Sequence, residues 1–356
     1  MKILLLGDFS GLGINLKNGL MNAGHEVTIA SSSADWRNFS FDINLNHRKT
    51  GYKRVFYDRL KPFNLLSKLT GFDIIQLIDP FTFYLKYFPS KIFYKILFNN
   101  NGKSFLGASS MDSYFWKYSK EYMNYTPYEE MRKFDWNRFL DFKISQEAFD
   151  FNRFIAKQVD GIIPVMYDYE GGYRKEFSDK VKTVPLPLTI KEELVEKVKP
   201  YKKLVFFHGL NRYGFKGTRI ITEAFSDMTK KYPNDLEFNI SDKMPINEYL
   251  KVLDKTHVVV DQVNSYSYGM NALYSMAKGK IVMSGAEKEA LSAIEVEECP
   301  VINIRPDKES IKAEIEKILD LKPTIFDLGI KSREFVEKYH DADKVALEYL
   351  SFWSKS

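Results

Sequence analysis

The chain opens on a short apolar run, Lys2 to Leu6 (KILLL), followed at once by glycine-punctuated sequence, GDFSGLG. A continuous apolar run of that length, bounded by turn residues, predicts a buried strand. A helix follows from about Asn15 to Asn22. Gly24 closes it, and His25 to Ala30 returns to β-branched and apolar residues as a second strand. Phe72 to Leu77 (FDIIQL), Lys103 to Leu106 and Gly161 to Val165 (GIIPV) are further short apolar runs, each followed by polar or helical sequence. Strands alternating with helices in this way predict a doubly wound parallel α/β domain.

Between Val184 and Tyr201 the pattern breaks into VPLPLTIKEELVEKVKPY, where prolines and a charged run suit a connection rather than a strand inside a sheet. It then restarts with a strand at Leu204 to Phe207, a glycine-rich loop and a helix from about Arg219 to Tyr232. A strand at Leu236 to Ile240, a helix near Ile246 to Leu253 and a strand at His257 to Val260 come next. From Ser332 to Ser356 apolar residues recur at helical spacing. The expected organisation is two Rossmann-like domains, residues 1–190 and 200–331, and a terminal helical segment, 332–356.

Composition narrows the function classes. With 356 residues the chain exceeds one ordinary hydrophobic core, and its charged fraction of 28% and hydrophobic fraction of 44% are those of a globular protein. No stretch reaches the roughly 18 apolar residues of a membrane span, and the N-terminus reads as a strand rather than a signal peptide. A lone Cys299 and five His, none clustered at metal-ligand spacing, point to a reducing cytoplasm and to no bound metal. A net charge of +5 is too small to indicate nucleic acid but suits an anionic ligand or membrane surface. A nicotinamide dehydrogenase would need Gly-x-Gly-x-x-Gly after the first strand and an acid ending the second. Here the glycines are Gly7, Gly11 and Gly13, and the second strand runs into Ser31, Ser32 and Ser33, so no such cofactor is expected.

Two loops of the second half carry the chemistry. In HGLNRYGFKGT, from His208 to Thr218, glycines permit close backbone approach, and Arg212 and Lys216 place two cations at the carboxyl end of a strand. They read either as diphosphate ligands or as ordinary solvated loop residues. In DQVNSYSYGMNALYSMAKGKIV, from Asp261 to Val282, Gly269, Met270 and Asn271 open a helix, Met270 to Ala277, whose free amides and dipole favour an anion. A plain glycine-initiated core helix is the other reading.

The order and spacing of these elements resemble retaining glycosyltransferases of family 4, which have the GT-B fold of two Rossmann-like domains facing a cleft. Gly209, Arg212, Lys216 and Gly217 match that family's loop of glycine, arginine and lysine-glycine. Gly269, Met276, Ala277 and Gly279 match its later signature, but Tyr266 and Tyr274 stand where the family has two glutamates. GDFSGLG with AGHEVTIAS resembles its opening, and REFVEKYHDADKVALEYL its closing helix, which crosses back onto the first domain.

The resemblance implies that Arg212, Lys216, Gly217, Tyr268, Gly269, Met270 and Asn271 hold a nucleotide-diphosphate sugar donor. Gly11, Gly13 and Tyr266 fall on the acceptor side. Tyr274 either offers its hydroxyl to the ribose and stacks on the nucleotide or, like Tyr266, packs the loop. No Asp-x-Asp lies beside a strand end, so cations and a helix start would stabilise the leaving group without metal. Asp112 and His208 are the candidate catalytic residues. Asp112 also reads as a helix cap and His208 as a residue satisfied by backbone.

The implied activity is transfer of a sugar, with retention, to a glycan or lipid-linked glycan in cell-surface polysaccharide assembly. A nucleotide-sugar epimerase of the same fold and a catalytically silent scaffold are the alternatives. FTFYLKYFPSKIFYK, from Phe81 to Lys95, alternates aromatics with Lys86, Lys91 and Lys95. It suits an anionic membrane surface at the inner face of the cytoplasmic membrane, or equally a buried helix with lysines on its wet face.

Overall fold

A computed structural model describes residues 1–32, 41–45, 62–84, 88–190, 202–210, 212–242 and 246–356. It divides into two compact units. The first comprises residues 1–118, 139–189 and 342–356, and the second 119–138 and 190–341.

The first unit is built on six strands, β1 (Lys2–Leu6), β2 (Glu26–Ser31), β3 (Ile43–Asn44), β4 (Ile74–Leu77), β5 (Lys103–Ala108) and β6 (Gly161–Pro164). They pair in parallel in the order β3-β2-β1-β4-β5-β6. β1 and β4 are buried almost throughout, which is why they read as largely apolar runs, broken in β4 only by the buried Gln76.

The second unit holds β7 (Leu204–Leu210), β8 (Leu236–Asp242), β9 (Val258–Val260), β10 (Ile281–Ser284) and β11 (Ile302–Asn303). These are again parallel, in the order β11-β10-β9-β7-β8. Phe206, Val258, Val260, Ile281 and Met283 pack from the sheet against Ile221, Phe225, Ile311 and Ile315 of the covering helices.

The sequence predicts divisions at 190, 200 and 332, and the structure differs at two places. Residues 119–138 group with the second unit. The terminal segment is two helices, Ile325–Tyr339 and Ala342–Lys355, broken at His340, and only the latter joins the first unit. There Val345, Tyr349 and Trp353 enter the core beside Ile3, Leu16 and Phe105. Gly19 lets the helix Leu12–Asn22 approach closely, since a Cβ at that position would stand 2.0 Å from the Ala342 carbonyl oxygen.

The aromatics of Phe81 to Lys95 point inward. Phe81, Phe83, Phe88, Phe93 and Tyr94 are buried, while Lys91 and Lys95 are exposed and lie 5.5 and 6.0 Å from the Phe154 ring centroid. Lys86 falls outside the described residues. From Ser90 the segment is a helix, Ser90–Asn99, with Phe93 and Tyr94 buried and Lys91 and Lys95 exposed. No helix among the described residues is long and apolar enough to cross a membrane.

Candidate functional site

In the second unit the strand order changes direction between β7 and β9, with β8 on one side of β7 and β9, β10 and β11 on the other. Ligands of open α/β sheets bind outside the carboxyl ends of the strands at such a switch point. The loops leaving β7 and β9 are the two singled out above.

The first loop is shaped by glycine. Arg212 precedes a single helical turn, Tyr213–Lys216, and Gly217 ends it at φ +70°, where a Cβ would meet Val263 Cγ2 at 2.3 Å. Arg212 is exposed, its guanidinium stacked 3.8 Å over the Phe215 ring and, among the described residues, without an acidic partner. Lys216 is buried, and its Nζ donates to Asp261 Oδ1 at 2.9 Å.

Residues 119–138 brace this loop. Asp135 Oδ2 accepts the amides of Gly214 and Phe215 at 2.8 and 3.0 Å, and Glu130 accepts from Arg219 at 2.8 Å. A Cβ on Gly214 would lie 2.5 Å from the Glu130 carbonyl oxygen, so the two segments touch backbone to backbone.

The second loop begins with Asp261, the first residue past β9, which is 1% exposed. Its Oδ1 accepts from both Lys216 and Asn271 Nδ2, each at 2.9 Å. Burial alone would raise this carboxyl, but the Lys216 charge and the two hydrogen bonds keep it below the ordinary aspartate range. The helix Met270–Ala277 starts at Gly269 with no side-chain cap, leaving its first amides without a helical acceptor. Met270 is buried, and Tyr274 is half-buried on the same helix.

The two tyrosines before that helix are packed. Tyr268 hydrogen-bonds His340 Nε2 at 2.9 Å. Tyr266 is buried, accepts the Asn124 amide at 2.8 Å, and has its ring 4.6 Å from that of Tyr125. Tyr125 in turn donates to Glu287, whose carboxylate Arg305 grips with two hydrogen bonds and holds down to about 2.

The catalytic candidates occupy structural posts. His208 is fully buried, with Nδ1 2.7 Å from the Val260 carbonyl and Nε2 2.9 Å from Thr218 Oγ1. A carbonyl only accepts, so the proton sits on Nδ1 and Nε2 accepts from Thr218. Burial, then Lys216, lowers this imidazole to about 4. Asp112 is 1% exposed and caps the helix Ser113–Tyr122 through the amides of Tyr114 and Phe115, while Tyr173 donates to its other oxygen at 2.6 Å. Both are engaged on all sides by the protein itself.

The first unit has its own switch point between β1 and β4, but its anion position is filled from within. Asp8 accepts the amides of Gly11 and Gly13 at 3.0 and 2.7 Å, at the start of helix Leu12–Asn22. Space beside Gly13 is tight, since a Cβ would lie 3.0 Å from both Asp8 Oδ1 and Ile29 Cδ1. The helix starts of the two units therefore differ: Asp8 accepts the first amides in one, and in the other no side chain caps the helix and Asp261 bonds Asn271 and Lys216 beside it.

Among the candidates, the structure brings together Lys216, Gly269 and Asn271 around Asp261, while Gly217 packs against Val263. Asp261 and Asp135 carry no local motif and escape sequence reading, because their partners are 45 and 79 residues away along the chain.

No protein-family model and no curated protein matches the sequence. Solved structures do match along the whole chain. Sucrose-phosphate synthase from Thermosynechococcus elongatus superposes with a TM-score of 0.62 at 14% identity, covering 100% of this chain and 99% of that one. HepE of Anabaena, solved with UDP and glucose, gives 0.63 at 10% identity, with 100% of both chains covered. A Listeria monocytogenes protein assigned as a UDP-N-acetylglucosamine 2-epimerase gives 0.55 at 11%, covering 98% of this chain and 94% of that one. With its two parallel α/β units and these full-length likenesses, the chain has the GT-B fold.

Proposed function

We propose that the protein is a glycosyltransferase whose second unit holds a UDP-linked sugar at the switch point between β7 and β9. The observation that carries this reading is the uncapped start of helix Met270–Ala277, tied to Lys216 through Asp261, with the exposed Arg212 four residues before Lys216 on the loop after β7. Helix-start amides and cations together suit a diphosphate. The structures solved with UDP, HepE among them, support the choice of nucleotide.

In this reading Arg212 and Lys216 neutralise charge that grows on the departing UDP as the glycosidic bond breaks, and the helix-start amides share that task. Fixed cations and dipoles aimed at developing charge are the largest source of acceleration in such reactions. A divalent ion is then not required for the leaving group. Gly217 and Met270 shape the backbone around the diphosphate, Gly269 leaves room for the neighbouring part of the donor, and Tyr274 stacks against the nucleotide. The acceptor is a glycan or lipid-linked glycan.

The test is turnover of UDP-sugars with and without an oligosaccharide acceptor, in chelator and with added magnesium. The proposal expects acceptor-dependent release of UDP that chelator leaves intact. Conversion of the donor to an epimer without acceptor would assign the chain to the epimerases instead. Loss of transfer in chelator with recovery on adding magnesium would overturn metal independence.

A further inference from the structure

Asp261 is held by one oxygen only. Oδ1 takes Lys216 and Asn271, while Oδ2, inside a residue that is 1% exposed, has no hydrogen-bond partner among the described residues. A buried carboxylate oxygen left in that state is costly, and a native structure keeps one where something else completes it.

Its surroundings indicate what kind of group does so. A carbon built on Gly269 would lie 3.9 Å from Asp261 Oδ2 and 3.8 Å from Gln262 Oε1, with no third atom outside the adjoining residues within 4 Å. Gln262 is 4% exposed and directs its Nε2 to the Ser267 carbonyl at 2.7 Å, which turns Oε1 the other way. Two acceptor oxygens thus border the space that a side chain at Gly269 would fill, at the uncapped start of helix Met270–Ala277. Acceptors select donors, and an anionic acceptor repels phosphate. The matching chemistry is a pair of hydroxyl groups on a ligand whose phosphates lie toward Lys216 and the helix amides.

We propose that Asp261 and Gln262 form a hydroxyl-reading subsite, in which Asp261 Oδ2 and Gln262 Oε1 accept hydrogen bonds from a diol of the bound donor. The proposal rests on the UDP-sugar reading above. Asp261 then links two recognition events, since the carboxylate that takes the hydroxyl also fixes Lys216. The diol belongs either to the ribose or to the transferred sugar.

Titration calorimetry of the full chain with UDP, 2′-deoxy-UDP, 3′-deoxy-UDP and UDP-glucose separates the two sources. If the ribose is read, the wild-type protein binds UDP about tenfold or more tightly than a deoxy analogue. If the sugar is read, it binds UDP-glucose tighter than UDP by a similar factor. In either case Asp261→Asn should erase that difference. So should the double variant Lys216→Met with Asp261→Asn, which leaves no unpaired buried charge and guards against misfolding of the single variant. Equal wild-type affinity for all four ligands overturns the proposal. So does a loss in Asp261→Asn common to all four, which would make Asp261 an anchor for Lys216 and nothing more. Failure of the wild-type protein to bind any of them overturns the UDP-donor reading itself, a result distinct from binding without discrimination.

Discussion

His208, a catalytic candidate in the sequence, is buried and hydrogen-bonded through both ring nitrogens. The imidazole is lowered to about 4 by burial and by Lys216. An unfolded histidine protonates near 6.5, so the unfolded state binds more protons between those values. Stability should be full above about pH 6.5 and fall as pH drops toward 4, by roughly 2–4 kcal/mol from this group. Thermal melts across that range should show a flatter slope for His208→Asn than for wild type. Equal slopes would mean the imidazole titrates normally. Asp112 was legible as a cap because the amides that donate to it are two and three residues ahead. Asp261 was not, although it heads the loop that the sequence brings into focus. Nothing local says that a residue ending β9 will meet a lysine following β7, because that depends on β7 and β9 being neighbours in the sheet.

At the scale of elements, the loop after β7 owes its shape to a glycine and to a remote carboxylate. Gly217→Ala would force a side chain into left-handed backbone and against Val263, and should destabilise by about 1–3 kcal/mol. A melting temperature unchanged from wild type would contradict that geometry. Asp135→Ala removes the acceptor for two amides of helical turn Tyr213–Lys216 and should cost about 1–2 kcal/mol. It should also weaken UDP binding, by freeing the loop that carries Arg212. Unchanged UDP affinity in a measurably destabilised Asp135→Ala would show that the brace supports folding alone. Strands were the most legible elements, since β1, β4 and β9 are largely apolar runs buried on both faces. The turn at Tyr213–Lys216 was not, being four residues long and held by a segment far back in the chain.

For the whole molecule, the two sheets and their parallel pairing follow from the alternation of apolar runs and helices, and the resemblance anticipated the GT-B fold. What the pattern could not give is the assignment of residues 119–138 to the second unit, which depends on Asp135 and Glu130 finding partners there. The closing helix offers a test of this division. Trp353 is 1% exposed in the first unit's core and donates to Gln76. Trp353→Ala should cost about 3–5 kcal/mol there. If the donor site lies wholly in the second unit, UDP affinity at low temperature should survive that loss.

Titrating UDP into wild type and Arg212→Ala decides whether the switch point of the second unit binds the diphosphate of a UDP-sugar. Arg212 is exposed and makes no ion pair among the described residues, so its removal should leave the melting temperature unchanged. Wild-type binding should weaken as salt rises and fall by roughly 1.5–3 kcal/mol in the variant. Wild-type protein that does not bind UDP, or binding that Arg212→Ala leaves untouched, would contradict diphosphate binding there.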